Sequence, residues 1–120
     1  MSAQPRHALV GLGSNTDGRR ELARARGALA SVLEVSRVTR PRSSPPEGGG
    51  TGQYWNQIVE VQERADLRQI CKRIETELGR NRDDPTRVTI DIDLLRTADF
   101  EADELTARDY WRPHLDELAL

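Results

Sequence analysis

The sequence predicts a small α+β domain in which two helices pack on one face of an antiparallel sheet. Three observations carry this expectation. A chain of 120 residues has room for one core, apolar residues recur at helical spacing in two segments, and polar and apolar residues alternate in two others. With 36% hydrophobic and 32% charged positions, residues 1–120 are expected to form a single domain.

The N-terminal part of the chain predicts a strand followed by a helix. The apolar run from His7 to Leu12 ends in Gly11-Leu-Gly-Ser-Asn15, a pattern that indicates a buried strand leading to a tight turn. Asp17 is well placed as the N-cap of the next element. A helix is expected there because five apolar residues recur at helical spacing: Leu22, Ala25, Leu29, Val32 and Leu33.

Two strands and a loop are expected next. Residues 35–42 carry β-branched side chains among arginines, and residues 54–62 alternate in character, so the two segments are expected to pair as strands. The segment 43–52 between them is rich in glycine and proline, which favours an irregular surface loop.

A second helix and a further strand complete the predicted sheet. Asp66 and Gln69 are spaced as a capping box, an apolar helical stripe follows, and Gly79 ends the helix. Residues 88–95 alternate with period two, as in a strand with one apolar face. The order βαββαβ, with both helices on one face of an antiparallel sheet, is the ferredoxin-like arrangement. Residues 96–120 are expected to form a short C-terminal extension with one weak strand and one helix.

Composition argues against several classes of protein. The formal charge is −2 with both signs interleaved, which disfavours a broad nucleic-acid surface. No apolar stretch approaches the roughly 20 residues of a membrane span, and Met1 to Arg6 lacks the pattern of a secretory signal, so a cytoplasmic protein is expected. Cys71 is the single cysteine, which leaves no internal disulfide and no thiolate-rich metal site.

Asp91 and Asp93 are the sharpest candidates for chemistry. Strand alternation places both carboxylates on one face, roughly 6 to 7 Å apart along the backbone. They are either two solvated aspartates or the ligands of a cation, and the apolar character of the strand favours the cation. Oxygen ligands without a nearby histidine or thiolate suit Mg²⁺ or Mn²⁺, whose shells are usually completed by water and substrate phosphates. Phosphate chemistry is therefore the first hypothesis.

Three arginines, Arg80, Arg82 and Arg87, stand between the second helix and this strand. Guanidinium groups bind phosphate through two points, and positive charge aimed at the transferring group is the main electrostatic device of phosphoryl transfer. The alternative is a solvated basic loop. Lys72 is the single lysine, so nearly every positive charge is a guanidinium, which a compositional bias of the source also explains.

Adjacent aromatic residues mark two further positions. Asn56, beside Tyr54 and Trp55, offers an amide to a heterocycle next to an aromatic surface for stacking. The alternative is a satisfied asparagine beside a core tryptophan. Tyr110 and Trp111 form a second aromatic pair near the end of the sequence.

Four short motifs follow one another along the predicted framework. They are Gly11-Leu-Gly-Ser-Asn15, the Pro-Pro loop leading to Tyr54-Trp55-Asn56, Ile74-Glu75 with Gly79-Arg80, and Thr89-Ile-Asp-Ile-Asp-Leu-Leu95. In this order they resemble the hydroxymethyldihydropterin pyrophosphokinase family of folate biosynthesis, which transfers pyrophosphate from ATP to a pterin alcohol. The resemblance extends from Leu9 to about Thr106, and its last motif is the most specific.

The resemblance implies a ligand for each candidate residue. Asp91 and Asp93 would hold two Mg²⁺ ions that bridge the ATP phosphates. Arg80, Arg82 and Arg87 would act in catalysis, Glu75, Arg80, Arg82 and His114 would contact ATP, and Ser44, Pro45, Pro46, Tyr54 and Asn56 would form the pterin pocket. ATP and the pterin are the implied partners of a monomer or weak homodimer that contacts neither nucleic acid nor membrane.

In that family the pterin hydroxyl attacks the β-phosphorus directly and AMP leaves. The resemblance implies that residues 81–87 of this chain form a lid over ATP. Val88 stands where the family has an arginine, and Pro113-His114 comes later than the family's Pro-His. Two other hypotheses stay open. One is a homologue that binds nucleotide or pterin without efficient turnover, as a sensor or partner subunit; the other is a ferredoxin-like interaction module with no small-molecule site.

Overall fold

The computed structural model describes residues 6–45, 52–80, 83 and 87–120. Its described residues form one antiparallel sheet of five strands. The strands are β1 His7–Ser14, β2 Val35–Val38, β3 Arg42–Ser44, β4 Tyr54–Gln62 and β5 Asp91–Arg96. Their order is β2-β4-β1-β5, and β3 also pairs with β4. The predicted α+β class is confirmed, and the antiparallel sheet is compatible with the ferredoxin-like arrangement.

Two longer helices, α1 Gly18–Val32 and α2 Leu67–Glu77, supply the larger core. Their apolar stripes bury against one face of the sheet because residues three and four apart share a helix face. The sheet residues of this core include Val10, Leu12, Val59, Val61 and Ile92. Gly79 follows α2 with a φ of 95°, a left-handed conformation that favours glycine and ends the helix.

The C-terminal extension covers the opposite face of the sheet. It consists of α3 Glu104–Ala107, a 3₁₀ helix at Asp109–Trp111 and α4 Arg112–Glu117. Leu105, Trp111 and Leu118 form a second core with apolar residues of β1, β4 and β5. Three short helical segments thus replace the single predicted helix, and an isolated bridge between Arg96 and Glu101 stands in place of the weak strand. Within the described ranges, every helix is too short or too polar to span a membrane.

The strand predicted at residues 35–42 is divided into β2 and β3. The ladder is interrupted after β2 at Thr39, whose hydroxyl, rather than a backbone carbonyl, accepts the Ile58 N–H at 3.0 Å. Before β3, Pro41 has no N–H to donate to a ladder.

The two predicted N-cap residues lie where expected but do not cap their helices through their side chains. Asp17 and Asp66 occupy the N-cap positions of α1 and α2, but neither side chain makes a cap hydrogen bond. The Asp66 carboxylate instead pairs with Arg64 at 2.8 Å, so the capping box with Gln69 does not form.

A buried histidine joins α4 to the sheet. His114 is fully buried, and its Nδ1 lies 2.6 Å from the Thr39 hydroxyl and 3.3 Å from the Arg42 guanidinium. Because a guanidinium only donates, Nδ1 is the acceptor and the ring proton sits on Nε2. Burial, together with the Arg42 charge, lowers the pKa of His114 to about 4, and Glu117 opposes the shift.

His114 is therefore expected to lower the free energy of unfolding as pH drops from about 6.5 to 4, because the unfolded chain binds a proton on His114 that the folded chain does not bind, whereas the raised pKa of Asp91 acts in the opposite direction. The slope contributed by one such proton reaches about 1.4 kcal/mol per pH unit. Urea unfolding between pH 7.5 and 4 measures it. His114→Gln should remove this contribution, so that the free energy of unfolding falls less, or rises more, toward pH 4 than in the wild type, whereas the same change at exposed His7, the chain's other histidine, should leave the slope intact. An unaltered slope in His114→Gln would rule out this source of acid sensitivity.

Candidate functional site

Three carboxylates meet at the edge strand β5. Asp91 and Asp93 come from β5 and Glu75 from α2, and each offers an oxygen that lies within 4.8 Å of the others. Glu75 is 2% exposed, and its Oε2 accepts the backbone N–H of Ile92 at 2.8 Å. This bond fixes Glu75 against the stretch of strand that joins the two aspartates. We call Glu75, Asp91 and Asp93 the carboxylate triad.

The triad is electrostatically strained without a cation. Burial raises the pKa of Asp91 well above its usual range, and the neighbouring Asp93 and Glu75 raise it further. Lys72 contributes a single positive charge, with Nζ 3.3 Å from Asp93 Oδ1 and 3.7 Å from Glu75 Oε2. Clustered carboxylate oxygens of this kind fit a hard divalent ion such as Mg²⁺.

A glycine in β1 separates the triad from the candidate pterin residues. Gly13 is in register with Asp91 on one side and with Asn56 on the other. Residues in direct register point to the same face, so Asn56 and Asp91 share a face at two strand spacings, or about 10 Å. A Cβ on Gly13 would overlap the Tyr54 hydroxyl, and one on Gly11 would meet Trp111. Both glycines allow side chains to pack closely over β1, and they lie within the strand and not in the turn that the sequence predicts.

The turn after β1 anchors the segment that precedes β5. Asn15 donates its N–H to the Val88 carbonyl at 2.9 Å and accepts the Val88 N–H on Oδ1 at 2.7 Å. The Ser14 hydroxyl also donates to the Val88 carbonyl, at 3.3 Å. β5 begins at Asp91 and not at residue 88, and the Val88 N–H is bonded to a side chain and not to a backbone carbonyl. Sequence reasoning assigned Asn15 to a turn and missed this contact, because no local pattern reveals a partner so distant in the chain.

The candidate pterin residues lie together on β3 and β4. Asn56 is 1% exposed, and its Nδ2 donates to the Ser44 hydroxyl at 3.0 Å. Its Oδ1 is buried without a hydrogen-bond partner among the described residues. Burial raises the pKa of Tyr54, and the two aspartates of β5 add to the shift. The Tyr54 ring lies 6.2 Å from that of Tyr110, centroid to centroid, and Pro45 is exposed beyond β3.

Two of the three arginines that the sequence places between α2 and β5 are among the described residues. Arg82, like Pro46 of the predicted pterin pocket, lies outside the described residues. Arg80 follows α2, where its N–H donates to the Glu75 carbonyl at 3.1 Å and its guanidinium lies 3.4 Å from the Arg87 carbonyl. Arg87 is exposed. The catalytic and nucleotide-binding roles of these arginines stay predictions.

His114 lies in the second core, within hydrogen-bonding distance of Thr39 and with its ring 5.8 Å from Trp111. Because its ring is fully buried, a nucleotide contact would require α4 to move away from the sheet. Its predicted role in ATP binding stays a prediction.

The sheet and the triad together define an α+β protein with a carboxylate cluster that suits a divalent cation. Comparison with known families places a match to 7,8-dihydro-6-hydroxymethylpterin-pyrophosphokinase (HPPK) over residues 9–118. Because that match spans nearly the whole chain, the protein belongs to the HPPK family. The family transfers pyrophosphate from ATP to hydroxymethyldihydropterin in folate synthesis and generally uses Mg²⁺. A search of curated proteins finds no match.

Proposed function

We propose that this chain is a pyrophosphokinase that transfers pyrophosphate from ATP to the hydroxymethyl group of 6-hydroxymethyl-7,8-dihydropterin and releases AMP. The row Asn56, Gly13 and Asp91 across three neighbouring strands carries the proposal. It brings an amide suited to a heterocycle and a carboxylate suited to a cation onto one face, about 10 Å apart. A pterin bound at Asn56 would extend its hydroxymethyl group toward phosphates held at Asp91.

The pterin end of the site is supported by the buried carbonyl of Asn56. Its Oδ1 is an acceptor without a partner among the described residues, and a pterin ring presents N–H donors that would satisfy it. Ser44 orients the amide through its hydroxyl. Tyr54 supplies an aromatic face, and the backbone near Pro45 and Pro46 would contact the ring edge.

The nucleotide end of the site depends on the carboxylate triad. Asp91 and Asp93 would hold Mg²⁺, with Glu75 fixed beside them by the Ile92 N–H. When bound, Mg²⁺ neutralises phosphate charge and polarises the transferring group. Arg80, Arg82 and Arg87 would bind the phosphates, and Glu75 would lie near the nucleotide. The pterin oxygen bonds to the β-phosphorus while the bond from that phosphorus to the α,β-bridging oxygen breaks, so AMP leaves with that oxygen and the hydroxyl proton is released.

ATP labelled in its β-phosphate tests this function. With Mg²⁺ and hydroxymethyldihydropterin, the label should appear in the pterin product and unlabelled AMP should accumulate. A reaction without pterin controls for hydrolysis. Release of ADP instead of AMP would contradict pyrophosphoryl transfer, because ADP forms when the β,γ bridge breaks, whereas pyrophosphoryl transfer breaks the α,β bridge.

A homologue that binds nucleotide or pterin without efficient turnover is the second candidate. The burial of His114 and the presence of Val88 at the family's arginine position favour it. Calorimetric binding of ATP with Mg²⁺, together with no AMP in the labelled assay, would support this candidate over the enzyme. An interaction module without a small-molecule site would show no stabilisation by either ligand.

A further inference from the structure

The only lysine of the chain lies against the carboxylate triad. Lys72 Nζ is 3.3 Å from Asp93 Oδ1 on β5 and 3.7 Å from Glu75 Oε2 on its own helix. A single ammonium therefore bridges two of the three carboxylates and joins α2 to β5.

The Glu75 carboxylate and the Lys72 ammonium differ in how freely they can move. Glu75 is held by the Ile92 N–H and is almost fully buried, whereas the Lys72 side chain is 48% exposed. Lysine carries a compact charge on a flexible four-carbon stem, and it lacks the rigid fork by which arginine binds a carboxylate at two points. The ammonium can therefore leave the triad for solvent or another anion while the carboxylates stay in place.

We propose that Lys72 is a tethered counter-ion, which competes with the divalent cation for Asp93 and Glu75 and binds the nucleotide phosphates once that cation is present. The ammonium opposes a metal that enters the triad, because two cations beside the same carboxylates repel each other and share the same negative charge. An ammonium displaced by the metal remains within reach of the triad, where the metal would bring the triphosphate. The binding of nucleotide phosphates by Lys72 rests on the proposed function. The competition between Lys72 and the cation does not, because it involves the metal alone.

Mn²⁺ binding measured without nucleotide tests the competition. The wild-type protein, Lys72→Met and Lys72→Gln are titrated with Mn²⁺ while free Mn²⁺ is followed by electron paramagnetic resonance. Both variants should bind Mn²⁺ about two- to five-fold more tightly, the range expected when a half-exposed ion pair no longer has to be broken. Arg73→Met removes the same charge from the adjacent, exposed position on α2 and should change the affinity little.

Thermal unfolding gives a second readout. Without metal, Lys72→Met should unfold at a lower temperature than the wild type, because the triad has lost its counter-charge. The rise in midpoint produced by Mn²⁺ should be larger in this variant, since a ligand stabilises the folded state according to its affinity. For the phosphate contact, α,β-methylene-ATP with saturating Mn²⁺ should bind Lys72→Met more weakly than Arg73→Met.

Mn²⁺ affinities that are equal or weaker in both Lys72 variants would overturn the competition, and so would a wild-type protein that binds no Mn²⁺. An unchanged affinity for α,β-methylene-ATP would overturn the phosphate contact. The AMP assay separates this inference from the proposed function. Normal AMP release without the Mn²⁺ effect refutes the role of Lys72 alone, and the Mn²⁺ effect without AMP refutes the transfer reaction alone.

Discussion

Asp91→Asn is expected to lower the rate of AMP formation by at least about a thousand-fold, and Asp93→Asn to do the same. Either change removes a carboxylate charge that would hold Mg²⁺ against the phosphates, and metal stabilisation of transition-state charge amounts to several kcal/mol. Steady-state assays at saturating ATP, together with Mg²⁺-dependent nucleotide binding by calorimetry, measure the loss.

Asp91→Asn is also expected to make the metal-free protein more stable. The folded structure raises the pKa of Asp91, so above the unfolded value of about 4 its charged form is disfavoured by folding. Asparagine removes that charge and the repulsion from Asp93 and Glu75. Asp99→Asn makes the matched change at an exposed position outside the triad and should alter neither activity nor stability appreciably. Unfolding of Asp91→Asn would instead indicate a structural role for this carboxylate.

Gly13→Ala is expected to weaken pterin binding by at least about ten-fold and to lower the free energy of unfolding by about 1–3 kcal/mol. The added methyl group would overlap the Tyr54 hydroxyl, so the Tyr54 ring must move away from Gly13, the residue in register with both Asn56 and Asp91. Calorimetric titration with the pterin and urea unfolding measure the two effects.

Gly27→Ala is the control, because Gly27 is exposed on α1 and an added Cβ would meet no atom within 4 Å. Alanine should there increase stability by about 0.5–1 kcal/mol through its better helix propensity and leave pterin binding unchanged. Unaltered pterin binding in Gly13→Ala would show that the position of the Tyr54 ring does not matter to this ligand.

These expectations share a physical basis in the sheet. Gly13 has neighbours in register on both sides, so a change at this one position affects the cation-binding and the heterocycle-binding ends together. The triad, by contrast, depends on one edge strand and one helix, so substitutions there should leave the pterin end intact. Separate loss of the two functions would support this division of the site.

Secondary structure was predictable where the pattern is local. Alternation over residues 54–62 predicts the strand observed at Tyr54–Gln62, and the apolar stripes predict α1 and α2. Periodicity suffices for the helices because one face of each is buried along its length, whereas β4 is buried on both faces from Asn56 to Val61 and its β-branched and aromatic residues predict the strand. Prediction failed at residues 35–42, where the Thr39 hydroxyl and Pro41 interrupt the ladder, and at the C-terminal extension, whose short helices gain most of their stability from packing.

The sequence by itself determined the order of the two longer helices and of the strands around them, the placement of the aspartate pair on one strand, and the motifs that indicate the family. Only the tertiary structure decided that Glu75 joins the aspartates, that Lys72 lies against them and that Asn15 anchors Val88. The reason is that periodicity and motif spacing act over a few residues. The bonds from Glu75 to Ile92 and from Asn15 to Val88 instead join residues 17 and 73 positions apart, and their partners meet only after sheet register and helix packing are set by burial of the whole core.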